Sequence, residues 1–600
     1  MKIATIDFET YWAKDYSLRS KDLNMSEYVL DDQFKAHMMG IKIDDGATIV
    51  VGTEDIQSTL DCIDWSDTAG LAHNTAFDGF ILSQHYNVVP AKYYDTLSMS
   101  RGMFSVAYSL DLDSVAHYCD LGRGKLPDIL KESKGVRELP MGLYERMAEY
   151  CARDVDLTYD VFRFMIDKYP PAELDLIDLT LRMFTDPVLL VDLPRVQLAL
   201  EAEMGKKVGA LLKASVRAED LMSNQKFAKL LEERGLHVPM KVSLRTGLPA
   251  PAFAKNDLGF MHLRKDPRAA PLIEARLAIK STIGETRAGR LLKVGDAQLP
   301  VLLNYCGAHT TRWSAGNKMN LQNLPRKGEL RKSILAPPGH AIVVADSAQI
   351  EARVLAWLSR NIPLLEIFAN KGDPYRWQAA TAYKKLSEDI SPDERFIGKV
   401  LTLGLGFGMG PTKLQETLAK GALGAEPMVV SLREAERLVE AYREANPAVV
   451  QLWGEMKELI RHMSLGLDTM YGPLEVVKEA IILPSGLALQ YPDLKITQDD
   501  EKRSGYTYTN RSVRARIYGG LLSENVVQAL ARCIVADQML AIAKKYRVVS
   551  MTHDEIIAVA PLAEADDAVK FMLEEMTKPP AWAPDLPLGA EGGWDVMYSK

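Results

Sequence analysis

The sequence is poor in cysteine. Cys62, Cys119, Cys151, Cys306 and Cys533 are odd in number, scattered, and form no C-x-x-C pair. That argues against a disulfide framework or a structural zinc site and suits a reducing compartment. Long apolar runs are also missing: the longest fall far short of a membrane span, and the opening MKIATIDFETYW has no signal-peptide pattern. The expectation is a cytoplasmic protein with no membrane partner. No repeat or low-complexity tract stands out. Nor is there an excess of positive charge, since the formal net charge is −8. The simplest mark of a nucleic-acid partner is therefore absent, but the distribution of charge says more than its sum. Residues 205–294 hold 18 Lys/Arg against 8 Asp/Glu, a local balance of +10. Alone, such a segment is a solvated helical surface. Beside catalytic motifs for nucleic acid it becomes a stripe that tracks phosphates.

What is present is ample. The 600 residues, 47% hydrophobic and 25% charged, exceed what one core holds, so several lobes are expected. The first ~165 residues alternate strands and helices. KIATIDF and AHMMGIKI read as strands, and LYERMAEYCARDVDLTYDVFRFMIDKY as a long amphipathic helix. The paired prolines of YPPAE, residues 169–173, should stop a helix and mark a boundary. The stretch from about 174 to 295 reads as helical and basic. AIVVAD, RVVSMTH and EIIAVAP read as strands of one late sheet, bracketing a helix-rich segment from about 352 to 465. Residues 466–520 look like hairpins.

Two sets of carboxylates raise a chemical question. In ATIDFET, alternation puts Asp7 and Glu9 on one face of a strand. LAHNTAFDGF supplies Asp78, and EYCARDVD puts Tyr150 and Asp154 on one helical face. In the second set, Asp346 ends the apolar strand of HAIVVADSAQIEAR, and a helix carrying Glu351 and Arg353 follows. Asp554 and Glu555 sit between two apolar runs in VVSMTHDEIIAVAP, which read as strands joined by a tight turn. Acids there are either an ordinary solvated hairpin tip or ligands of a divalent cation, because a buried ionised carboxylate needs a partner. Between these strands, ERFIGKVLTLGLGFGMG spaces Arg395, Lys399, Leu403 and Phe407 four apart, a helical stripe with cations at one end and a ring at the other. The glycines at 404, 406, 408 and 410 form no dinucleotide loop, since no strand precedes them. They are expected instead to admit a close neighbour.

These motifs resemble two families in tandem. Asp7-x-Glu9, NTAFD at Asn74 to Asp78 and Tyr150-x-x-x-Asp154 resemble the DEDD exonuclease superfamily, tyrosine branch, whose fold is RNase H-like. DSAQIEAR, R-x-x-x-K through FG, HDE, TTRWSAGNKMNLQNLP and LRKSILAPPGH are similar to the ordered motifs of family A DNA polymerases, over roughly 290 residues. The resemblance implies a mixed α/β and α+β multidomain chain with an RNase H-like exonuclease domain and a right-hand polymerase. Its parts would be an exonuclease domain at 1–170, a thumb at 171–295, a palm at 296–364 and 511–600, and fingers with a hairpin insertion at 365–510. The implied function is template-directed addition of dNTPs to a primer 3′-hydroxyl, with 3′→5′ proofreading. The alternative is an exonuclease whose polymerase lobe only holds DNA.

Residue by residue, the resemblance implies metal ligands at Asp346, Asp554 and the Ser347 carbonyl, and at Asp7, Glu9, Asp78 and Asp154 in the exonuclease. Each site would take two Mg²⁺ ions, with Mn²⁺ as a substitute. Catalytic groups would be Asp346, Asp554, Glu555 and Lys399, and Asp7, Glu9, Asp78, Tyr150 and Asp154. Nucleotide contacts would come from Arg395, Lys399, Leu403, Phe407, Glu351 and Gln349. DNA contacts would come from Arg312, Gln322, Asn323, Gln528, His553 and Lys280. Arg and amide donors suit the minor groove, where acceptors are alike at every base pair. The chain departs from the family at Leu403, where Phe or Tyr is usual, at Phe407 for Tyr, and at Ser347-Ala348 for Tyr-Ser. With no 5′-nuclease domain before the exonuclease, the compact form resembles bacteriophage replicative enzymes. That implies primer–template DNA, dNTPs and replisome proteins such as a helicase or single-strand-binding protein as partners of a monomer, in host cytoplasm if phage-encoded.

Overall fold

The computed structural model describes residues 1–599 apart from 21, 105–106, 123–128, 244–245, 255–256, 326–327, 422–427, 499–503 and 512. Arg245 and Lys255 of the basic segment, and 499–503 and 512 of the hairpin region, thus lie outside the described residues. The chain forms two compact units. One comprises Met1–Val191, Asp296–Val354 and Gly454–Lys600, and the other Asp192–Gly295 and Leu355–Trp453.

The first unit begins with a five-stranded sheet: β1 (Lys2–Thr10), β2 (Ala36–Ile43), β3 (Ile49–Gly52), β4 (Thr68–Ala72) and β5 (Lys92–Asp95). Its order is β3-β2-β1-β4-β5, antiparallel from β3 to β1 and parallel from β1 to β5. β4 is buried at every residue and β2 at its first six, as strands covered on both faces must be. The parallel β4–β5 pair needs a crossover, which helix α1 (Thr75–Tyr86) supplies. Helices α2 (Thr96–Phe104), α3 (Met141–Ile166) and α4 (Pro171–Thr185) follow. The prolines do separate α3 from α4, with Pro171 opening α4, where a missing N–H costs nothing.

That joint is buried. The Tyr169 hydroxyl donates to the Tyr305 hydroxyl at 3.1 Å, which donates to Glu173 Oε2 at 2.6 Å. Glu173, 2% exposed, accepts both terminal nitrogens of Arg532, whose guanidinium lies 4.5 Å from the Trp313 ring centre.

The second sheet of this unit contains β6 (His340–Ser347), β7 (Arg547–Thr552), β8 (Glu555–Pro561) and β9 (Ala590–Asp595) in the order β7-β8-β6-β9, all antiparallel. The three expected strands are present, and β9 joins them unannounced. Its AEGGWD sequence has little strand propensity. Gly592 is required there because a Cβ would lie 2.8 Å from the Val344 carbonyl oxygen. Helix α5 (Ile350–Ser359) leaves β6 directly, and α6 (Gly519–Ala543) precedes β7. Among the described residues, α6 is the one helix long and apolar enough to cross a membrane, but 72% of that window is buried in the protein. The hairpin region forms two further sheets, one running from Thr469 to Gln490 and one from Lys495 to Ile517.

The second unit is mostly helical. In its basic part, the Phe227, Phe253 and Phe260 rings pack edge to face around Arg276, whose guanidinium is 4.4 Å from the Phe227 ring centre. Lys280 is exposed at the end of helix Ala270–Lys280. In its other part, helices Pro374–Tyr383 and Pro392–Gly404 meet at Gly398, where a Cβ would lie 2.0 Å from the Tyr375 carbonyl oxygen. All five cysteines are free, and only Cys62 is exposed.

Candidate functional site

The N-terminal acids converge because α3 can dock closely on the sheet. Asp7 pairs across the ladder with Gly40, and a Cβ at Gly40 would lie 2.8 Å from Cys151 Sγ and 2.9 Å from Val155 Cγ2. The bare glycine therefore lets α3 settle against β1 and β2. Cys151 donates to the Asp7 carbonyl at 3.5 Å, and ligand atoms of Asp7, Glu9 and Cys151 lie within 4.8 Å of one another. The neighbours of Cys151 on α3, Tyr150 and Asp154, arrive with it. Burial, then the charges of Asp154 and Glu9, push the Tyr150 phenol far above its usual range. Burial, then Asp7 and Glu9, push up the Cys151 thiol, so it stays neutral.

On the other side of β1, pairing with β4 ends at Thr5, leaving the Phe8 N–H without a strand partner. Asp78 of α1 accepts it at 3.1 Å. Burial and the Asp7 charge raise the Asp78 carboxyl well above its ordinary value. Asn74, in the left-handed conformation at φ 83°, starts α1 and donates its N–H to Asp95 at 2.8 Å. Glu9 and Tyr150 open onto a cleft of about 610 Å³ walled by Phe8, Trp12, Tyr28 and Phe77, with Arg19 and Lys131 also lining it. The sequence reading missed Gly40 and Cys151; the only signal was that Cys151 sits between the two residues of α3, Tyr150 and Asp154, that the motif singles out.

The second acidic site is built on β6 and the β7–β8 turn. Asp346 is half-buried near the end of β6, and Asp554 occupies the turn. The Ser347 N–H donates to the Asp554 carbonyl at 3.0 Å, locking one chain to the other. Burial and the Asp346 charge push the Asp554 carboxyl up to about 7. His553, next to Asp554, is left-handed at φ 59°, and so is Gln349, three residues after Asp346, at φ 50°, an unusual conformation for side chains of this size. A clasp holds the first turn: Arg353 donates to the Ala348 and Pro587 carbonyls at 2.7 Å each, and the Ala348 N–H donates to Gly589 O at 2.8 Å. Gly589 is needed because a Cβ would lie 2.8 Å from Arg353 Nη2.

Around these acids, Arg312 Nη2 lies 2.5 Å from Glu351 Oε1. Glu524 is nearby, its carboxyl raised by burial and Glu351, and Gln528 donates to it at 3.2 Å. The Thr310 hydroxyl donates to Gln528 at 3.3 Å. His553 and Asn323 are exposed. Two of the expected site residues are engaged within the protein. Gln322 does not present its amide to an open surface: it is buried, and Nε2 donates to the Met551 carbonyl at 3.4 Å. Glu555 is buried in an ion pair: both oxygens accept from Arg331 Nη2 at 3.0 Å, and Oε1 takes the Tyr598 hydroxyl. Its register partner across β6 is Asp346, so it borders the site without opening into it.

In the second unit, the stripe of Arg395, Lys399, Leu403 and Phe407 is half-buried, while Ile397, Gly398, Val400, Leu401 and Thr402 are buried. The helix does not carry all four. It ends at Gly404, and Phe407 lies on a 3-10 turn closed by Gly408 at φ 80°. The turn forms because Gly406 gives its carbonyl to Trp453 Nε1 at 2.9 Å and sits where a Cβ would lie 2.5 Å from Leu355. Close approach was expected at these glycines. It occurs at 406, whereas Gly410 faces open space and the tightest backbone contact is at Gly398. Arg395 Nε donates to Asp373 Oδ2 at 2.5 Å.

Residues 195–598 match the family described as DNA polymerase family A. The DNA polymerase of Bacillus phage SP02 is 25% identical, with both chains covered in full. DNA polymerase I of Treponema pallidum is 25% identical over 72% of this chain and 41% of its own, and that of Pseudomonas aeruginosa 27% identical over 60% and 40%. The chain thus spans about two fifths of these bacterial relatives. The solved POL domain of Pol1 from M. smegmatis, in complex with DNA primer-template and dNTP, has a TM-score of 0.69 at 18% identity, covering 94% of this chain and 93% of that one. The fold and the family match define a DNA-directed nucleotidyltransferase. The chain belongs to DNA polymerase family A.

Proposed function

We propose that this polymerase extends a primer 3′-hydroxyl with dNTPs at the Asp346–Asp554 site and removes 3′-terminal nucleotides at the site of Asp7, Glu9, Asp78, Tyr150 and Asp154. One observation carries the first half: the Ser347 N–H to Asp554 carbonyl bond of 3.0 Å holds the β7–β8 turn beside the end of β6, where burial and then the Asp346 charge push the Asp554 carboxyl up to about 7. A fold maintains such repulsion when a cation relieves it. Asp346, Asp554 and the Ser347 carbonyl offer hard oxygen donors, as do Asp7, Glu9, Asp78 and Asp154, and these fit Mg²⁺. When bound, paired Mg²⁺ or Mn²⁺ ions supply Lewis-acid stabilisation of attacking and leaving oxygens.

The chain's own residues do the rest. Glu351, braced by Arg312, crowds the sugar C2′ and excludes ribonucleotides, and Gln349 borders the same pocket. Arg395 and Lys399 hold the triphosphate, Lys399 gives a proton to departing pyrophosphate, and Phe407 and Leu403 flank the base. Gln528, Asn323, His553 and Arg312 face the primer–template, and Lys280 with the basic helices follows its phosphates. Glu555 and Gln322 hold the β7–β8 turn in place. In the exonuclease, Tyr150 orients the attacking water while the aromatic walls of the cleft stack the terminal bases. The sheet order β3-β2-β1-β4-β5 supports an RNase H-like exonuclease domain in the first ~170 residues, with thumb, palm and fingers following as the resemblance implies. The setting we propose is phage DNA replication by a monomer in host cytoplasm, beside a helicase and a single-strand-binding protein.

The test is extension of a labelled primer–template with Mg²⁺ and four dNTPs, using wild type, Asp554→Ala and Asp7→Ala. Asp554→Ala should only shorten the primer and Asp7→Ala only extend it. Undiminished digestion by Asp7→Ala removes the exonuclease assignment, and extension by Asp554→Ala removes the polymerase one.

A further inference from the structure

The cleft beside Glu9 and Tyr150 has a rim that is held from far along the chain. Ser17, Leu18 and Arg19 line it, as does Tyr28 of the helix Met25–Leu30. Three main-chain carbonyls of this segment, at Leu18, Ser20 and Leu23, converge on the Lys318 ammonium, 295 to 300 residues away. The bond to Leu18 is 3.2 Å and that to Leu23 is 2.5 Å. Asn317 takes hold just beyond. Its Oδ1 accepts the Met25 N–H at 2.7 Å, and its Nδ2 donates to Ser26 Oγ at 3.0 Å. The Met25 N–H is one of the donors a helix leaves without an internal partner, so Asn317 supplies an acceptor to the helix that carries Tyr28.

Asn317 and Lys318 belong to GNKMNLQNLP, the stretch that also carries Gln322 and Asn323. They stand on a fixed turn. Ser314–Ala315 pairs with Leu303–Asn304, the Gly316 N–H donates to the Leu302 carbonyl at 2.9 Å, and the Met319 N–H returns to the Gly316 carbonyl at 3.1 Å. A Cβ at Gly316 would lie 2.9 Å from Leu302 Cγ, so the turn rests directly on its base. Asn317 and Lys318 are both left-handed, at φ 53° and φ 52°. Asparagine visits that region readily and lysine does not. A lysine kept there despite the strain marks a contact that the surroundings enforce. The alternative is an ordinary packing contact that adds stability and nothing to digestion. Against it stands the placement: each of these bonds falls on residues 18–26, between the lining residues Leu18 and Tyr28.

We propose that Asn317 and Lys318 are positioning residues for the removal of 3′-terminal nucleotides. They fix the backbone of residues 18–26, hold Leu18, Arg19 and Tyr28 at the rim, and so set how firmly the cleft grips an unpaired 3′ end. The inference rests on the exonuclease reading of the cleft and deepens it: one turn carries Gln322 and Asn323 at one acidic site and braces the rim of the other. Lysine suits the task, because a compact ammonium with three rotatable donors can meet three carbonyls at once. The acids themselves stand on β1, α1 and α3, outside the braced segment. The rim therefore acts on binding rather than on the chemical step.

The test is steady-state digestion of a labelled single-stranded oligonucleotide by the full-length protein with Mg²⁺, beside amide hydrogen exchange over residues 17–30. Lys318→Met keeps the length of the stem and removes the charge. It should raise KM roughly 10-fold, the loss of a charge-assisted hydrogen bond. It should also leave kcat and primer extension unchanged and speed exchange at the rim. Asn317→Gly removes the amide while easing the left-handed backbone, so it guards against misfolding, and it should shift KM the same way. A fall in kcat and in extension without a change in KM would mean general damage and overturns the inference. Wild type that digests no single strand removes the exonuclease reading, and this inference with it. Wild type that digests while both variants keep its KM removes the inference alone.

Discussion

Arg312 and Glu351 grip each other across 2.5 Å, each side chain about one-third exposed, within the electrostatic reach of Asp554. The pair joins a group proposed to face the primer–template to one proposed to sense the sugar. Glu351→Ala should therefore admit ribonucleotides, raising the ribo/deoxy ratio of steady-state incorporation roughly 10- to 100-fold, the range that one close steric contact supports. An unchanged ratio would show that exclusion lies elsewhere, with Phe407 the next group to substitute.

Gly40 sets how closely α3 approaches β1. Gly40→Ala places a methyl 2.8 Å from Cys151 Sγ and should cost about 1–3 kcal/mol by overpacking. Because the displaced helix carries Tyr150 and Asp154, digestion of single-stranded 3′ ends should slow far more than primer extension does. Equal loss of both activities would mean that the damage is global.

Glu555 and Asp554 are adjacent yet should behave oppositely. Asp554→Asn should abolish extension with little loss of stability. Glu555→Gln should leave extension within ~10-fold but destabilise the protein by about 3–5 kcal/mol, since Arg331 is left buried without a full counter-charge. Thermal melts beside extension rates decide the matter, and a stable but inactive Glu555→Gln would restore that residue to catalysis.

His37 and His309 give the protein an acid sensitivity with a defined sign. Burial depresses both to about 4 from an ordinary 6.5. As the pH falls from 6.5 towards 4, the unfolded chain takes up protons that the native imidazoles refuse. The stability present above about 6.5 is thus progressively lost. Urea midpoints near pH 7.5 and pH 5 should differ, and His309→Phe, keeping a ring beside Tyr491 and Tyr508, should narrow the gap. A gap of the same size in that variant would clear His309 of the effect.

Much of this architecture was legible because the local signals were strong. AHMMGIKI is β2 from end to end, the apolar run before Asp346 is β6, and the runs flanking Asp554 are β7 and β8. What escaped was decided by neighbours far along the chain. β9 forms from a glycine-rich stretch because only glycine fits beside Val344. Fourfold spacing could not show that Trp453 and Leu355 end the helix before Phe407. Nothing in HDE tells the acid in the turn from the one held by Arg331 and Tyr598, two hundred residues and forty residues away.

The joint at Tyr169 and Glu173 limits how this chain could be shortened. A cut at the paired prolines removes the Tyr169 hydroxyl from Tyr305. A cut after α4, at the edge of the compact unit, takes Glu173 as well and leaves the Arg532 guanidinium between Trp313 and Tyr305 without its ion-pair partner. An enzyme trimmed past α4 would thus inherit a charged scar in the middle of α6. A shortened chain that keeps α4 keeps the Glu173–Arg532 pair, and one that gives it up needs a different residue at position 532.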